Sequence, residues 1–147
     1  MVGSPDPNPL VAGKGNRLLR EHGVQVEEHV LQAQCDRLNR AFLKYISTGR
    51  PYVVMKYAMT MDGKIAAHTG ASQWVTGEEA RAYVQQERHR YRGIMVGVGT
   101  VLADDPMLNC RMPGGRNPVR IICDTHLRTP LTSRIVRTAK EISTILA

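Results

Sequence analysis

The sequence predicts an α/β fold in which a mainly parallel sheet is flanked by helices. Val, Ile and Leu concentrate in short runs, and these runs are separated by segments with helical periodicity. The chain has one Phe and one Trp, so its core must be largely aliphatic. Alternation of short buried strands with helices is typical of α/β domains. With 147 residues and 42% hydrophobic content, the chain is long enough to bury a sizeable core.

The N-terminal third is predicted to be mostly helical. The segment 6–9, Asp-Pro-Asn-Pro, is expected to be a loop because its prolines fix the backbone and remove donors. A short helix is predicted over 16–22, with Asn16 as its N-cap and Gly23 at its end, and alternation predicts a strand over 24–28. A longer helix is predicted over 30–47, because apolar residues recur three and four positions apart on one face: Leu31, Cys35, Leu38, Phe42 and Ile46.

The composition changes most sharply at Gly49-Arg50-Pro51, and we predict the domain boundary there, between residues 1–49 and 50–147. A continuous apolar run over 52–59, interrupted only by Lys56, predicts a strand buried on both faces. Thr76-Gly-Glu-Glu79 matches a capping box, so a helix is expected from Gly77. The predicted inward side of this helix consists of Ala80, Tyr83, Val84 and Tyr91.

The C-terminal part predicts further strands joined by irregular segments. Strands are expected over 94–98 and 119–124, with a loop over 99–117 between them. One helical turn is expected over 133–136. A last strand is predicted over 142–146, and since the chain stops inside this run, we expect a truncated domain.

Composition and spacing exclude several classes of function. Cys35, Cys110 and Cys123 are odd in number and widely spaced, which supports neither a disulfide framework nor a zinc site, and Cys35 and Cys123 are interpreted as core residues. The five histidines show no metal-ligand spacing, so no metal site is predicted. The net charge of +7 fits a phosphate-bearing small ligand, solubility or nucleic acid, but the basic residues are scattered and aromatic stacking platforms are few. No segment predicts a membrane span or a secretory signal, and a cytoplasmic location is expected.

The candidate site is the stretch 55–76, a predicted strand and a Gly-containing loop that leads into a helix. Lys56 lies inside the apolar run, where a cation is costly without a partner, and Asp62 is the nearest candidate partner. Trp74 is either a core residue or a platform for a planar ligand ring. Arg88 lies one turn beyond Val84, so it either belongs to a solvated face or points a guanidinium at a phosphate.

Two further motifs leave alternatives open. Gly97-Val-Gly99 lacks the third glycine of a dinucleotide fingerprint, and no helix is expected directly after it, so the two glycines serve either close ligand approach or simple turn geometry. Asp104 and Asp105 are neighbours, whose carboxylates point to opposite sides of an extended backbone and cannot form a facing catalytic pair. One of them either accepts a ligand hydrogen bond or caps the turn before Pro106.

Several motifs in order resemble the reductase domain of the bifunctional riboflavin-biosynthesis deaminase/reductase family. They are the segments 50–53 (leading into Lys56), 61–66, 72–76, 99–106 and 127–131. The segment 6–15 and the pattern Leu38-Asn39-x-x-Phe42 resemble the end of that family's deaminase domain and its connection to the reductase. The resemblance therefore implies a dihydrofolate-reductase-like second domain, preceded over 1–49 by a remnant of a cytidine-deaminase-like α/β domain.

The resemblance also implies an activity and a set of site residues. The family reduces 5-amino-6-(5-phosphoribosylamino)uracil with NADPH at C1′ of the opened ribose. Lys56 is expected to polarise or protonate the reacting ribosylimine, with Asp62 holding the loop. The positions that match NADPH contacts are Ala58, Trp74, Thr100, Asp104 and Thr125, the last often Ser in the family. The positions that match contacts to the phosphorylated substrate are Ser72, Arg88, Leu108 and Arg111.

Departures from the family pattern limit what this chain is expected to do. The zinc-binding His-Ala-Glu and Pro-Cys-x-x-Cys motifs of the deaminase half do not occur here, and neither does the reductase's Glu-Gly-Gly segment. Zinc and deaminase activity are therefore expected only of the missing half. The expected partners are the phosphorylated pyrimidine ribosylamine and a second copy of the chain, with neither nucleic acid nor membrane. The rival interpretations are a non-catalytic piece of the same fold and a basic nucleic-acid-binding module.

Overall fold

The computed structural model describes all residues, 1–147. By its internal contacts the chain divides into two compact units, Met1–Lys56 and Tyr57–Ala147. This division falls later in the chain than the composition change at 49–51, so the domain boundary given above stays a prediction. None of the six helices combines the length and the hydrophobicity that a membrane crossing requires.

The first unit contains three short helices: α1 (Lys14–Glu21), α2 (Gln32–Leu38) and α3 (Arg40–Thr48). None of them carries a buried residue. The prediction that Asn16 caps the first helix is wrong, because Gly13 precedes the helix in the left-handed region, with φ 71°. Asn16 lies inside α1, and its amide donates to Glu28 Oε1 at 2.5 Å.

The long helix predicted over 30–47 is interrupted at Asn39, whose φ and ψ of −103° and 14° separate α2 from α3. Its predicted inward face is not buried, since Leu31 and Leu38 are 65% and 81% exposed. The prediction of a strand over 24–28 is also wrong. Val24 N–H donates to Leu19 O, and the only extended contact is with Val2, through Val2 N–H to Glu27 O and Val30 N–H to Val2 O. Two bonds around one residue do not make a ladder.

The apolar segment 51–59 forms no strand, contrary to the prediction. None of its backbone groups takes part in a backbone hydrogen bond, and Val53 and Met55 are 79% and 82% exposed. The physical reason is that a strand exists only through a neighbour, and no segment of this chain supplies one. Apolar composition alone therefore does not bury these side chains.

The second unit is built on a parallel sheet, as predicted. Its strands are β1 (Gly93–Gly97), β2 (Val119–Cys123) and β3 (Thr144–Leu146), in the spatial order β1-β2-β3. Gly93 pairs with Val119 and Arg120 with Thr144. The sheet is accompanied by three helices, α4 (Glu78–Arg90), α5 (Val98–Asp104) and α6 (Arg134–Arg137).

Helix α4 begins one residue later than predicted and has no capping box. Gly77 is the N-cap, because its carbonyl accepts the backbone N–H of Arg81 as the first bond of the helix. No side chain, including that of Thr76, makes a capping hydrogen bond. The Arg81 guanidinium meanwhile donates to Thr76 O at 2.6 Å. Part of the predicted inward face is wrong as well: Ala80 and Tyr83 are exposed, whereas Val84 and Tyr91 are half-buried.

A small aliphatic core lies beside the sheet. It joins α5, the loop after it, β2 and α6 through Val98, Val101, Leu108, Ile122 and Ile135, with Ile94, Val96 and Val136 packed around them. Its first two members belong to α5, which corrects the prediction that residues 99–117 form only a loop. Cys110 is buried, whereas Cys123 is exposed and Cys35 half-buried, so the interpretation of Cys123 as a core residue is wrong.

Candidate functional site

The carboxyl edge of the parallel sheet holds the first candidate binding region. β1 and β2 end side by side at Gly97 and Cys123, and α5 and the turn at Thr125 follow them. Open α/β sheets bind ligands at this edge, where the loops leave the strands. Thr100, in the first turn of α5, and Thr125 are both exposed, so their hydroxyls are available there.

Space beside the two glycines of this edge is open. A Cβ atom built on Gly97 or Gly99 would meet no heavy atom within 4 Å, so neither glycine is required by close packing within the chain. The prediction that no helix follows this motif is wrong, since α5 starts directly at Val98. Of the two interpretations left open by the sequence, close ligand approach is the one for which the structure leaves room.

Asp124, at the end of β2, organises the turn that carries Thr125. Its carboxylate accepts the backbone N–H of Arg128 at 3.0 Å, and both the N–H and the hydroxyl of Thr129 at 2.7 Å. Burial raises the pKa of this carboxyl, but the hydrogen bonds from Arg128 and Thr129 outweigh it and the pKa is lowered. Asp124 is therefore a fixed anion that holds the turn.

The two neighbouring aspartates have different surroundings. Asp104 is the last residue of α5 and is exposed, which leaves its carboxylate open to a ligand. Asp105 adopts the left-handed region, with φ 38°, and its Oδ1 accepts the backbone N–H of Arg134 at 2.8 Å. Asp105 therefore supports the start of α6 rather than the turn before Pro106.

Helix α4 and the segment 107–111, which we call the anion loop, form a second candidate region. Arg88 is half-buried, and its Nη1 donates to Asn109 O at 2.8 Å. Its Nε atom is buried and has no partner. The backbone N–H of Arg111 donates to Gln85 Oε1 at 3.0 Å. Leu108 is 5% exposed and belongs to the core, with a left-handed φ of 51°.

This second region brings two positive charges together. Burial, and then the positive charge of Arg111, lower the pKa of Arg88. The guanidinium nevertheless stays charged, because arginine is not deprotonated in proteins. Two neighbouring guanidinium groups, one of them exposed, supply the chemistry that binds a phosphate through several charge-assisted bonds.

The loop that carries Asp62 is held by an ion pair and hydrogen bonds among its own residues. Asp62 forms an ion pair with Lys64 Nζ at 2.9 Å and accepts a hydrogen bond from the Thr60 hydroxyl. The Thr60 bond, followed by the Lys64 bond, lowers the pKa of Asp62. Lys56 is exposed, so the expectation of a buried lysine paired with Asp62 is wrong; the cation at Asp62 is Lys64.

Trp74 is not a core residue, since it is 65% exposed. The guanidinium of Arg81 lies over its ring, 4.8 Å from the centroid. Ser72 and Ala58 are half-buried. Trp74 therefore presents a large planar surface to solvent, which fits the ligand-platform interpretation.

Sequence reasoning missed Gln85 and Arg120. Gln85 lies one turn before Arg88 on α4, and helical spacing would have placed it beside the candidate arginine. Arg120 is a cation inside an apolar strand, the same signal that drew attention to Lys56, yet it is fully buried. No group of three or more His, Cys, Asp and Glu side chains could hold a metal ion.

The fold and these two regions define an α/β protein with an open parallel sheet, exposed polar groups at the carboxyl edge of that sheet, and a pair of neighbouring arginines. The family model described as the RibD C-terminal domain matches residues 51–147. The chain belongs to this family.

Curated relatives carry the same family name. The chain is 62% identical over 146 residues to the riboflavin biosynthesis protein RibD of Actinobacillus pleuropneumoniae, covering 99% of this chain and 39% of that protein. It is 42% identical over 147 residues to the RibD of Aquifex aeolicus, covering 99% of this chain and 41% of the relative. The chain thus spans about two fifths of the length of these relatives.

Solved structures of the same family are also similar to this chain. The crystal structure of a diaminohydroxyphosphoribosylaminopyrimidine deaminase/5-amino-6-(5-phosphoribosylamino)uracil reductase from Thermotoga maritima matches with a TM-score of 0.88 at 41% identity, over 99% of this chain and 41% of that one. The RibD of Acinetobacter baumannii matches with a TM-score of 0.83 at 40% identity, over 97% of this chain and 42% of that one. The dihydrofolate-reductase-like α/β prediction for the second unit is consistent with these neighbours.

Proposed function

We propose that this chain contributes to riboflavin biosynthesis as part of an NADPH-dependent reductase that acts on 5-amino-6-(5-phosphoribosylamino)uracil. The observation that carries the proposal is the pair Arg88 and Arg111, which suits the substrate's phosphate. Family membership supports the same reaction class. Arg111 is exposed, so its guanidinium is accessible to a ligand, while the buried Nε of Arg88 has no partner within the chain.

The cofactor is proposed to bind at the carboxyl edge of the sheet. Thr100, Asp104 and Thr125 offer exposed polar groups there, and the open space at Gly97 and Gly99 admits a ligand close to the backbone. Two more residues, Ala58 and Trp74, are proposed to contact NADPH on the basis of the family resemblance. These residues fit a nucleotide because they combine hydroxyl groups with an exposed aromatic face.

The chain's own residues are proposed to bind and orient the reactants. Arg88 and Arg111 hold the phosphate, while Ser72 and Leu108 contact the rest of the substrate. When bound, the nicotinamide supplies a hydride to C1′ of the opened ribose, and a proton completes the reduction. Lys56 is proposed to polarise or protonate the ring-opened ribosylimine as the hydride arrives, with Asp62 holding the loop. The roles of Lys56 and Asp62 rest on the sequence pattern alone.

The proposal extends to the rest of the chain. Residues 1–49 are proposed to correspond to the end of a deaminase domain and its connection, since the deaminase/reductase neighbour matches almost the whole chain. Zinc chemistry is not proposed for this chain. Self-association through residues 50–147 is proposed as well, and sedimentation measures it directly.

The test is cofactor binding followed by turnover. NADPH fluorescence should increase on addition of the chain, and absorbance of NADPH should fall only when the phosphorylated substrate is present. Arg88→Met should weaken the binding of the phosphorylated substrate at least about tenfold, since a hydrogen bond to a charged group contributes about 1.5–3 kcal/mol. Lys56→Met should slow turnover more than binding. Absence of NADPH binding at millimolar cofactor would refute the reductase, and binding without turnover would favour the non-catalytic alternative.

A further inference from the structure

The backbone of the anion loop is bonded by side chains from elsewhere in the unit, in addition to the packing of Leu108 in the core and the bond from the Cys110 thiol. Four side chains from three parts of the second unit bond to it, one at each of four positions. Arg120 donates to Met107 O at 3.2 Å, Arg88 donates to Asn109 O at 2.8 Å, Asn117 accepts from Cys110 N–H at 2.9 Å, and Gln85 accepts from Arg111 N–H at 3.0 Å.

Gln85 has a particular place among these four. It is half-buried on α4, one turn before Arg88, and its backbone carbonyl also accepts the Cys110 thiol at 3.6 Å. Its side chain bonds to the backbone of Arg111, the exposed cation of the anion site. The same helical face thus carries one arginine of the site and the side chain that fixes the other.

Electrostatics explain why such a bond is needed. Arg88 and Arg111 are both positive, and burial, followed by the charge of Arg111, lowers the pKa of Arg88. Repulsion between the two cations opposes their approach in the absence of an anion. A backbone bond that does not depend on the anion counteracts this repulsion.

We propose that Gln85 is a positioning residue that fixes the backbone of Arg111 so that Arg88 and Arg111 close together on a phosphate group. The proposal rests on the anion site of the proposed function. A neutral amide suits this role, because it accepts the N–H without placing a negative charge beside the incoming phosphate. A glutamate at this position would keep the acceptor but repel the ligand.

The chain offers a matched control for the test. Gln86, the next residue of α4, is exposed, and its side chain makes no hydrogen bond. Gln85→Met and Gln86→Met therefore change the same chemical group on the same helix. D-Ribose 5-phosphate serves as the probe, measured by calorimetry, and NADPH binding is followed in parallel by fluorescence.

Gln85→Met should weaken ribose 5-phosphate binding about three- to tenfold, the effect expected of one lost hydrogen bond. NADPH affinity should stay at the level of Gln86→Met. Hydrogen exchange of the Arg111 amide should become faster in Gln85→Met. Gln85→Glu should restore the protection of that amide without restoring the phosphate affinity, which separates the hydrogen bond from the charge.

Three results would overturn the proposal. Equal ribose 5-phosphate binding by the two methionine variants would remove the positioning role and leave the reductase proposal intact. A parallel loss of ribose 5-phosphate and NADPH binding in Gln85→Met would mark a general structural role. If the unmodified chain binds NADPH but not ribose 5-phosphate, the proposal of an anion site at Arg88 and Arg111 is wrong, whereas the proposal of NADPH binding stands.

Discussion

Replacement of Arg120 by methionine tests how the second unit is held together. Arg120 lies in β2, is fully buried, and has no carboxylate within ion-pairing distance. Its guanidinium instead donates to three backbone carbonyls and two hydroxyls. The acceptors are Met107 O, Ile135 O, Ile142 O, Thr138 Oγ1 and Thr144 Oγ1.

The size of the effect follows from which acceptors lose their partner. In Arg120→Met the hydroxyls of Thr138 and Thr144 still donate to Arg134 O and Ile142 O. The other two carbonyls, Met107 O and Ile135 O, lose a charged donor. Each orphaned buried acceptor costs about 1–3 kcal/mol, and lost contacts to the hydroxyls add to this. Removal of the buried cation offsets part of this destabilisation, because the folded state no longer has to bury a positive charge.

The expected net loss is about 3 kcal/mol in the free energy of unfolding, since breaking a buried charged network by removing one member is strongly destabilising. For a unit of this size the melting temperature should fall by about 12–24 °C. Thermal unfolding followed by circular dichroism measures it. Arg92→Met is the matched control, because Arg92 is exposed and its side chain makes no hydrogen bond. If the two variants melt within about 2 °C of one another, the reasoning is refuted.

Three other substitutions test separate features of the same unit. Because the pKa of Asp124 is lowered in the folded state, its contribution to stability is present above the unfolded pKa of about 3.9 and is lost as the pH falls through the folded pKa. Melting temperatures measured between about pH 6 and pH 2 should show this loss. The pH dependence of the melting temperature should be weaker in Asp124→Asn. Gly115→Ala should destabilise by about 1–3 kcal/mol, because the new Cβ would lie 2.5 Å from Cys110 Sγ, and adding Cys110→Ala should recover part of the melting temperature. Gly77→Asp should stabilise α4 by a few tenths of a kcal/mol, since Gly77 is an N-cap without a side chain and has open space around it; a lower melting temperature would contradict this.

Local sequence patterns predicted the elements whose partners lie within the chain. The apolar runs at 94–98 and 119–124 became β1 and β2, because each is the other's neighbour in the parallel sheet. The turn at 133–136 became α6, shifted by one residue. The run at 52–59 is also largely apolar but has no neighbouring strand, so its backbone stays unpaired. Composition predicts that a segment can be a strand, whereas pairing decides whether it is one.

The same distinction separates the candidate site residues. Arg88 was identified from helical spacing, a property of α4 alone, and the structure keeps it half-buried and bonded. The expectation for Lys56 and Asp62 required side chains six residues apart to meet, whereas Asp62 forms its ion pair with Lys64, two residues away. A short-range partner is available at lower entropic cost than a distant one, which favours the local ion pair.

Spacing places Gln85 beside Arg88 on α4, but it does not predict the bonds that Gln85 and Arg120 make, because their partners in the anion loop are backbone groups. Arg120 reaches a carbonyl of the anion loop, and Gln85 reaches an amide of the same loop. Any residue type can supply those backbone groups, so the sequence carries no pattern for the pairing. The anion site therefore depends on a strand and a helix that meet at one loop, and its geometry is a property of the tertiary structure rather than of any single motif.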